Sequence, residues 1–508
     1  MGIDNFPHTM KQFQLLVAGL LISITSIAQE PILNYDFTFK INNLSDTNDS
    51  MAFMANYYGS KQYYFDTAIV EPGGVLHFKG DSIQGGIYSI ILSDKRSYFE
   101  FVVNEPKINM ETKAIDFVPN MKVKESEENR LFYEYLAFIE TQSKQVETLK
   151  KQREDADDKK KEELESKLES IDKNVISYKL NFIETNPDLF ISKVFKASAE
   201  PVVSDFLEIK DEKERQKARY IAFKNQYLAD VDFADERLLR TPVLHNKMNY
   251  FFTKLVPQIA DSIIKEADEL VKRTKNNKET YKYVVHHITS KYEDSKIMGM
   301  ESVLVHMGQN YYCPDKAWWL SKKKREEFCE RVDKMAPLLI GKTAPDLILM
   351  DTNNQWQQLH KIEATYTVLY FWDSGCGHCK KVTPKLKEFY SEYKGKGIEV
   401  FAIGTEFENK DWKKYIKKNE LPWINVSDNP EINENAQELM RQGTTTLESL
   451  NFRDTYDIFS TPKVYLLDEN KTIIATKLMP EQMGDYLDHL IQSENESKDE
   501  KSSKKKAK

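Results

Sequence analysis

Cysteine is scarce in this chain. Cys313, Cys329, Cys376 and Cys379 are the only four in 508 residues, and all stand in the second half. A small scaffold stapled by disulfides carries many more and spreads them along its length, so that class is excluded. An excess of positive charge is also lacking. Lys and Arg number 72 against 80 Asp and Glu, a net charge of −8. That balance argues against nucleic acid as the main partner. After the N-terminus, no stretch is apolar enough to span a membrane.

What the chain does have is enough apolar material for several cores. Hydrophobic residues make up 40% and aromatics 12%, and a chain of this length divides into about three or four domains. Residues 1–28 read as a signal peptide. Lys11 precedes the apolar run FQLLVAGLLISITSIA, and Ser26-Ile27-Ala28 suits cleavage before Gln29. Met10 is the better natural start, and no cysteine near the cleavage site would take a lipid anchor. The expectation is export to the periplasm or cell envelope, with no stable membrane span after cleavage.

Three kinds of pattern follow. Residues 31–118 alternate as β-strands, in Phe37, Phe39 and Ile41, then VLHFKG, IYSIIL and FEFVV. Turns fall at Pro72-Gly73-Gly74 and Gln84-Gly85-Gly86, and the reading is an antiparallel β-sandwich. Residues 121–335 are mostly α-helical, with apolar steps of three and four. Leu131, Tyr135 and Phe138 begin one stripe, and Leu164, Leu168 and Ile171 another. The charged run KKQREDADDKKKEE between them marks the solvated tip or waist of a long helical arm. The pair His286-His287 has no carboxylate or cysteine at ligand spacing, so it reads as structural rather than as a metal site. Cys313 and Cys329 fit either a disulfide or two buried thiols, since sequence separation does not give the distance between α-carbons. Residues 337–492 alternate strands with helices, an α/β sheet covered on both faces. The tail at 493–508 is charged and of low complexity, and is expected to be disordered.

The chemistry concentrates in FWDSGCGHCKK, Phe371 to Lys381. A structural zinc needs about four ligands, and there is no second CxxC. Covalent haem needs His directly after the second cysteine, where Lys380 stands. A peroxide-reducing thiol would have Thr or Ser three residues before it, where Asp373 stands. A redox pair fits better. Strand VLYFW leads in and an amphipathic helix leads out, so Cys376 is expected at a helix N-terminus. Unpaired N–H groups and the helix dipole stabilise a thiolate there. His378, when protonated, adds to that stabilisation, and Cys379, one turn on, can attack a mixed disulfide.

Residues 337–492 resemble exported thioredoxin-fold thiol–disulfide oxidoreductases of the TlpA/ResA type. The resemblance rests on Gly341-Lys342-Thr343-Ala344-Pro345-Asp346, Phe371-Trp372, Cys376-Gly-His-Cys379, Pro384 and Ser460-Thr461-Pro462. It covers about a third of the chain; the β-rich and helical regions before it resemble modules that precede such domains in envelope proteins. It implies a thioredoxin-like fold and a cis peptide before Pro462, with the Thr461 backbone pairing with substrate peptide. The chain departs from the family at Tyr370, where many thioredoxins bury an acid, and at Val382, where some members have Glu. The proton acceptor for Cys379 is thus open, with Glu406 a candidate. The Gly-His pair is the one seen in protein disulfide isomerases, and implies a less reducing couple than Gly-Pro gives. Asp428 to Leu450 reads as an insertion near the active-site side.

The expected function is exported thiol–disulfide exchange, as a reductase or isomerase. Cys376 is the nucleophile, Cys379 resolves, His378 tunes the thiolate, and Thr461-Pro462 holds the peptide. No cofactor and no metal is called for. The partners are protein or peptide thiols and disulfides and an unidentified redox partner. The competing account is an envelope binding or assembly protein that uses a thioredoxin-like unit as scaffold.

Overall fold

The computed structural model describes residues 30–44, 51–408 and 410–492, so the expected signal peptide and charged tail lie outside the described residues. The chain divides into two compact units. One holds the described residues up to Pro257 together with Asp268–Val284; the other holds Gln258–Ala267 and the described residues from Val285.

The first unit opens with two four-stranded sheets. One has the order β4-β1-β7-β8, from Val75–Ile83, Ile32–Asn42, Lys107–Lys113 and Lys122–Glu125. The other has the order β3-β2-β5-β6, from Lys61–Ile69, Met51–Tyr58, Gly86–Leu92 and Tyr98–Val103. Alternation decides the packing, because successive side chains in a strand point to opposite faces. Tyr35, Phe37, Phe39 and Ile41 of β1 are all buried. Phe37 meets Phe101 edge-on at 5.9 Å, and Phe39 meets Phe99 at 5.7 Å, so the two sheets share an aromatic core. Pairing is antiparallel except between β1 and β7, which run parallel. The chain crosses to the other sheet for β5 and β6 before returning as β7, the crossover that a parallel pair requires. The sheets also run on to Glu125, past the expected end at 118.

Two helices of 28 residues follow, α1 (Glu127–Glu154) and α2 (Asp158–Thr185). The break falls inside the charged run, where Asp157 caps α2 by accepting the Lys160 N–H. Phe138 stacks on Tyr178 at 4.3 Å, holding the hairpin together nearer its base. The rest of the helical region comprises α3 (Phe190–Ser198), α4 (Glu212–Gln226), α5 (Pro242–Tyr250), α6 (Ala260–Thr274), α7 (Lys278–Glu293), α8 (Glu301–Met307) and α9 (Lys322–Met335). No helix among the described residues is long and apolar enough to cross a membrane. Residues from Val285 through α9 group with the C-terminal unit. There Cys313 and Cys329 form a disulfide, with α-carbons 5.7 Å apart. His286 is exposed, with its Nδ1 3.0 Å from Ser290 Oγ.

The C-terminal unit is built on a seven-stranded sheet of order β10-β9-β13-β12-β11-β14-β15. In chain order its strands are β9 (Ile348–Asp351), β10 (Trp356–Gln358), β11 (Tyr366–Trp372), β12 (Ile398–Gly404), β13 (Ile424–Ser427), β14 (Lys463–Leu467) and β15 (Ile473–Thr476). β11, β12 and β13 run parallel, while β14 pairs antiparallel with β11. Every residue of β11 is buried, as a central strand covered on both faces must be. Val368, Tyr370 and Trp372 pack with Leu386, Phe389 and Tyr390 of α10 (Gly377–Tyr393). Leu369 and Phe371 face the other way, onto Leu349, Phe401, Phe452 and Tyr456. α11 (Lys410–Asn419) sets Trp412 and Ile416 into the first of these cores, and the described residues 480–492 are helical. This is a mixed α/β, thioredoxin-like sheet.

Candidate active site

The site forms where β11 ends and α10 begins. Asp373 makes the turn: its Oδ1 accepts the N–H groups of Gly375 at 2.6 Å and Cys376 at 3.1 Å. A short carboxylate side chain that bonds backbone two or three residues on is a local turn-former. Cys376 is the N-cap of α10, and its Sγ accepts the Cys379 N–H at 3.3 Å. Sulfur thus stands where helix capping normally places oxygen, against the unpaired N–H groups of the first turn.

From the far side of the sheet the chain returns through Thr461-Pro462, which is a cis peptide. The Cys376 thiol points at the Thr461 carbonyl at 3.3 Å. The resemblance expected this juxtaposition of residues 85 positions apart, and the pairing of β14 with β11 produces it.

The two thiols differ sharply in environment. Cys376 is half-buried and Cys379 is buried, and both are free thiols in this structure. Burial pushes the Cys376 thiol up, but hydrogen bonds outweigh it. The thiol and backbone N–H of Cys379, the Thr461 side chain and the His378 backbone N–H hold it below the ordinary thiol range. For Cys379, burial dominates, and the bond to the neighbouring sulfur adds to it, so this thiol lies far above that range. The arrangement has one reachable sulfur held below the ordinary thiol range and one sheltered sulfur pushed above it.

His378 acts differently from the sequence expectation in one respect: its ring is exposed, and the contact that reaches the sulfur is its backbone N–H. Tyr370, in place of a buried acid, bonds Thr383 Oγ1 at 3.0 Å, and Thr383 in turn donates to the Cys379 carbonyl at 2.8 Å. Glu406 accepts the Ser374 N–H at 2.5 Å, which ties the end of β12 to the cysteine loop. Its second oxygen is buried and accepts no hydrogen bond among the described residues.

The segment at 428–450 does begin at the active-site end of β13. Arg453 anchors its far end, bonding Asp428 at 2.8 and 3.0 Å and the Thr405 carbonyl at 3.0 and 3.1 Å. Sequence reasoning missed Asp373 as the loop-former; the signal was Asp373-Ser374-Gly375, a turn sequence, directly before the first cysteine. It also missed Arg453, which nothing local marks.

A parallel-centred sheet with a capped CxxC opposite a cis proline defines a thioredoxin-like redox domain. Comparison with known proteins agrees. Residues 340–476 match the AhpC/TSA family, and residues 36–132 match a domain of unknown function, DUF4369. The thiol–disulfide oxidoreductase ResA of Bacillus cereus (strain ZK / E33L) is 25% identical over 153 residues, 30% of this chain and 77% of that protein. ResA of Halalkalibacterium halodurans is 25% identical over 156 residues, 30% of this chain and 78% of that protein. Among solved structures, a domain of a possible thiol-disulfide isomerase from Cytophaga hutchinsonii shares 38% identity. It covers 32% of this chain and 98% of that chain, with a TM-score of 0.27. A thioredoxin-like protein from Bacteroides caccae shares 19% identity over 57% of this chain and 97% of that chain, with a TM-score of 0.43. The C-terminal domain is therefore an AhpC/TSA thioredoxin-like domain related to the ResA/TlpA thiol–disulfide oxidoreductases, and it follows a DUF4369 module and a helical region. The protein is a thiol–disulfide oxidoreductase of that type.

Proposed function

We propose that Cys376-Gly-His-Cys379 is the redox pair of an exported disulfide reductase or isomerase acting on protein or peptide substrates. The observation that carries this reading is the asymmetry of the two sulfurs. The Cys376 thiol, at the N-cap of α10, is held below the ordinary thiol range, and burial pushes the Cys379 thiol, one turn away, up to about 12. The Cys376 thiolate attacks one sulfur of a substrate disulfide, forming a mixed disulfide and expelling the other sulfur as thiolate. Cys379, on losing its proton, attacks the Cys376 sulfur. The Cys376–Cys379 disulfide forms, and the substrate leaves reduced. Thr461-Pro462 presents backbone to the substrate strand, and His378 contributes to the thiolate's stabilisation. An external dithiol partner then returns two electrons to the pair.

Cleavage of residues 1–28 and delivery to the periplasm or cell envelope complete the proposal. N-terminal sequencing of the envelope fraction is expected to begin at Gln29. Purified protein with dithiothreitol is expected to precipitate reduced insulin, and Cys376→Ser to abolish the rate above background; equal rates for the two would reject the reading. A reduction potential near about −270 mV makes the pair a reductase, and one near about −120 mV an oxidant.

A further inference from the structure

The two sheets of the first unit differ on their outer faces. In β1 the residues that alternate with the buried aromatics are Asp36, Thr38, Lys40 and Asn42. Asp36 pairs with Lys79 at 2.8 Å, Thr38 Oγ1 lies 3.2 Å from His77 Nδ1, and Asn42 donates to Glu111 at 2.8 Å. That is how a sheet meets water, apolar within and polar without. The β3-β2-β5-β6 sheet departs from it. Ala52 and Met54 of β2 are buried in the core, and the residues that alternate with them, Met51 and Phe53, are apolar too. Met51 is paired with Ile69, and Phe53 stands in the cross-strand row Thr67–Phe53–Ile91–Tyr98. Tyr64 sets its ring 5.1 Å from that of Phe53. Met51 is 44% exposed, Tyr64 60%, Ile69 74% and Tyr98 55%. We propose that this bare half-face is a homodimer interface, covered by the same face of a second copy of the chain. The inference is independent of the redox reading.

The first argument is that the rest of the face is already covered. Ser89 is two residues from Ile91 and so on the same side of β5, yet it is fully buried. The short turn of helix Glu236–Arg240 packs on β2 and β5, and the Gly59 N–H donates to the Leu239 carbonyl at 2.8 Å. One end of the sheet therefore has its cover within the chain, and the other end has an apolar surface of the same kind without one.

Area is the second argument. With about 150–250 Å² for a large aromatic side chain, the half-face presents on the order of 500 Å². A monomer rarely leaves a larger apolar patch in water. Two such faces together bury about 1,000 Å², the size at which a specific interface begins.

The third argument selects a second copy over another protein. The rows Ile69–Met51 and Thr67–Phe53–Ile91–Tyr98 contain no charged residue. A copy turned about a two-fold axis therefore meets no like charge, as a self-complementary interface requires. Unlike partners are told apart largely by matched charges, and this surface offers none to match. Tyr, Phe and Met are also the side chains enriched at interface cores. Pairing through the free edge of β3 is the weaker route. Phe65 is an extra residue opposite Met54-Ala55, a bulge of the kind that turns an edge strand away from partners.

The test is sedimentation of the full chain from about 1 to about 100 µM, the range in which a small interface is half-formed. The mass is expected to rise to twice that of one chain. Ile69→Asp and Tyr98→Asp, both at exposed positions, are each expected to remain monomeric throughout. Thr38→Asp, on the polar face of the other sheet, is expected to dimerise like wild type. Hydroxyl-radical labelling of wild type needs no substitution to fold. Labelling of Met51, Tyr64 and Tyr98 is expected to fall several-fold from dilute to concentrated protein, while exposed Tyr250 of α5 stays unchanged. A chain that is monomeric at every concentration would overturn the interface. So would a dimer that neither substitution weakens and whose formation leaves these three residues fully labelled. Protection that appears only on adding vesicles of phosphatidylethanolamine and phosphatidylglycerol would assign the face to a membrane surface instead, and the dimer would fall.

Discussion

At the scale of single residues, two cysteines of the same chemistry are made unlike by what surrounds each. Reduced protein treated with limiting iodoacetamide near neutral pH is expected to be alkylated at Cys376 and spared at Cys379, as peptide mass mapping would show. Cys379→Ala removes a thiol that donates to Cys376 Sγ, so the alkylation midpoint of Cys376 is expected to move up towards that of an ordinary cysteine. A stability consequence follows, with a definite sign. Cys376 has its thiol held lower in the fold than in the unfolded chain. Its contribution is therefore fully present above the unfolded thiol value, about 8.5, and is lost as pH falls through the folded value. The melting temperature of reduced wild type minus that of Cys376→Ser is expected to rise with pH across that window; a flat difference would count against the shift. Asp373 was read only as a departure from another family's pattern, because its role depends on where the N–H groups of Gly375 and Cys376 point.

At the scale of elements, α10 is held by one buried face rather than by its own propensity, since Pro384 stands inside it. Leu386 is 1% exposed against the β11 core. Leu386→Ala is expected to cost about 2–5 kcal/mol in denaturant unfolding, the range for a buried leucine truncated to a cavity. An exposed change on the same helix, Glu388→Ala, is expected to stay within about 0.5 kcal/mol. Strand β11 and the helix after it were readable because a run such as YTVLYFW has few alternatives to a doubly covered strand. The parallel β1/β7 pair was not readable. Alternation gives which face is buried and says nothing of which neighbour lies alongside or in what direction.

At the scale of the whole molecule, the two compact units predict more than one unfolding step by calorimetry. The Cys313–Cys329 disulfide belongs to the second, with 16 residues of sequence separation. Replacing both with Ser is expected to lower the stability of that unit by about 3 kcal/mol and to move one transition only. Insulin reduction is expected to persist below that transition, because this bond is separate from the redox pair.

The amino-acid sequence alone determined the thioredoxin-like class, the reactive pair and the change from β to helix to α/β along the chain. Those features are written in short-range periodicity, in local spacing and in motifs only a few residues long. Only the tertiary structure decided that Cys313 bonds Cys329 and that Arg453 ties down the insertion. It also decided that Met51, Ile69 and Tyr98 share one bare sheet face. Each of these joins residues distant in sequence, and which distant residues meet depends on how the chain's layers pack, a quantity no local pattern encodes.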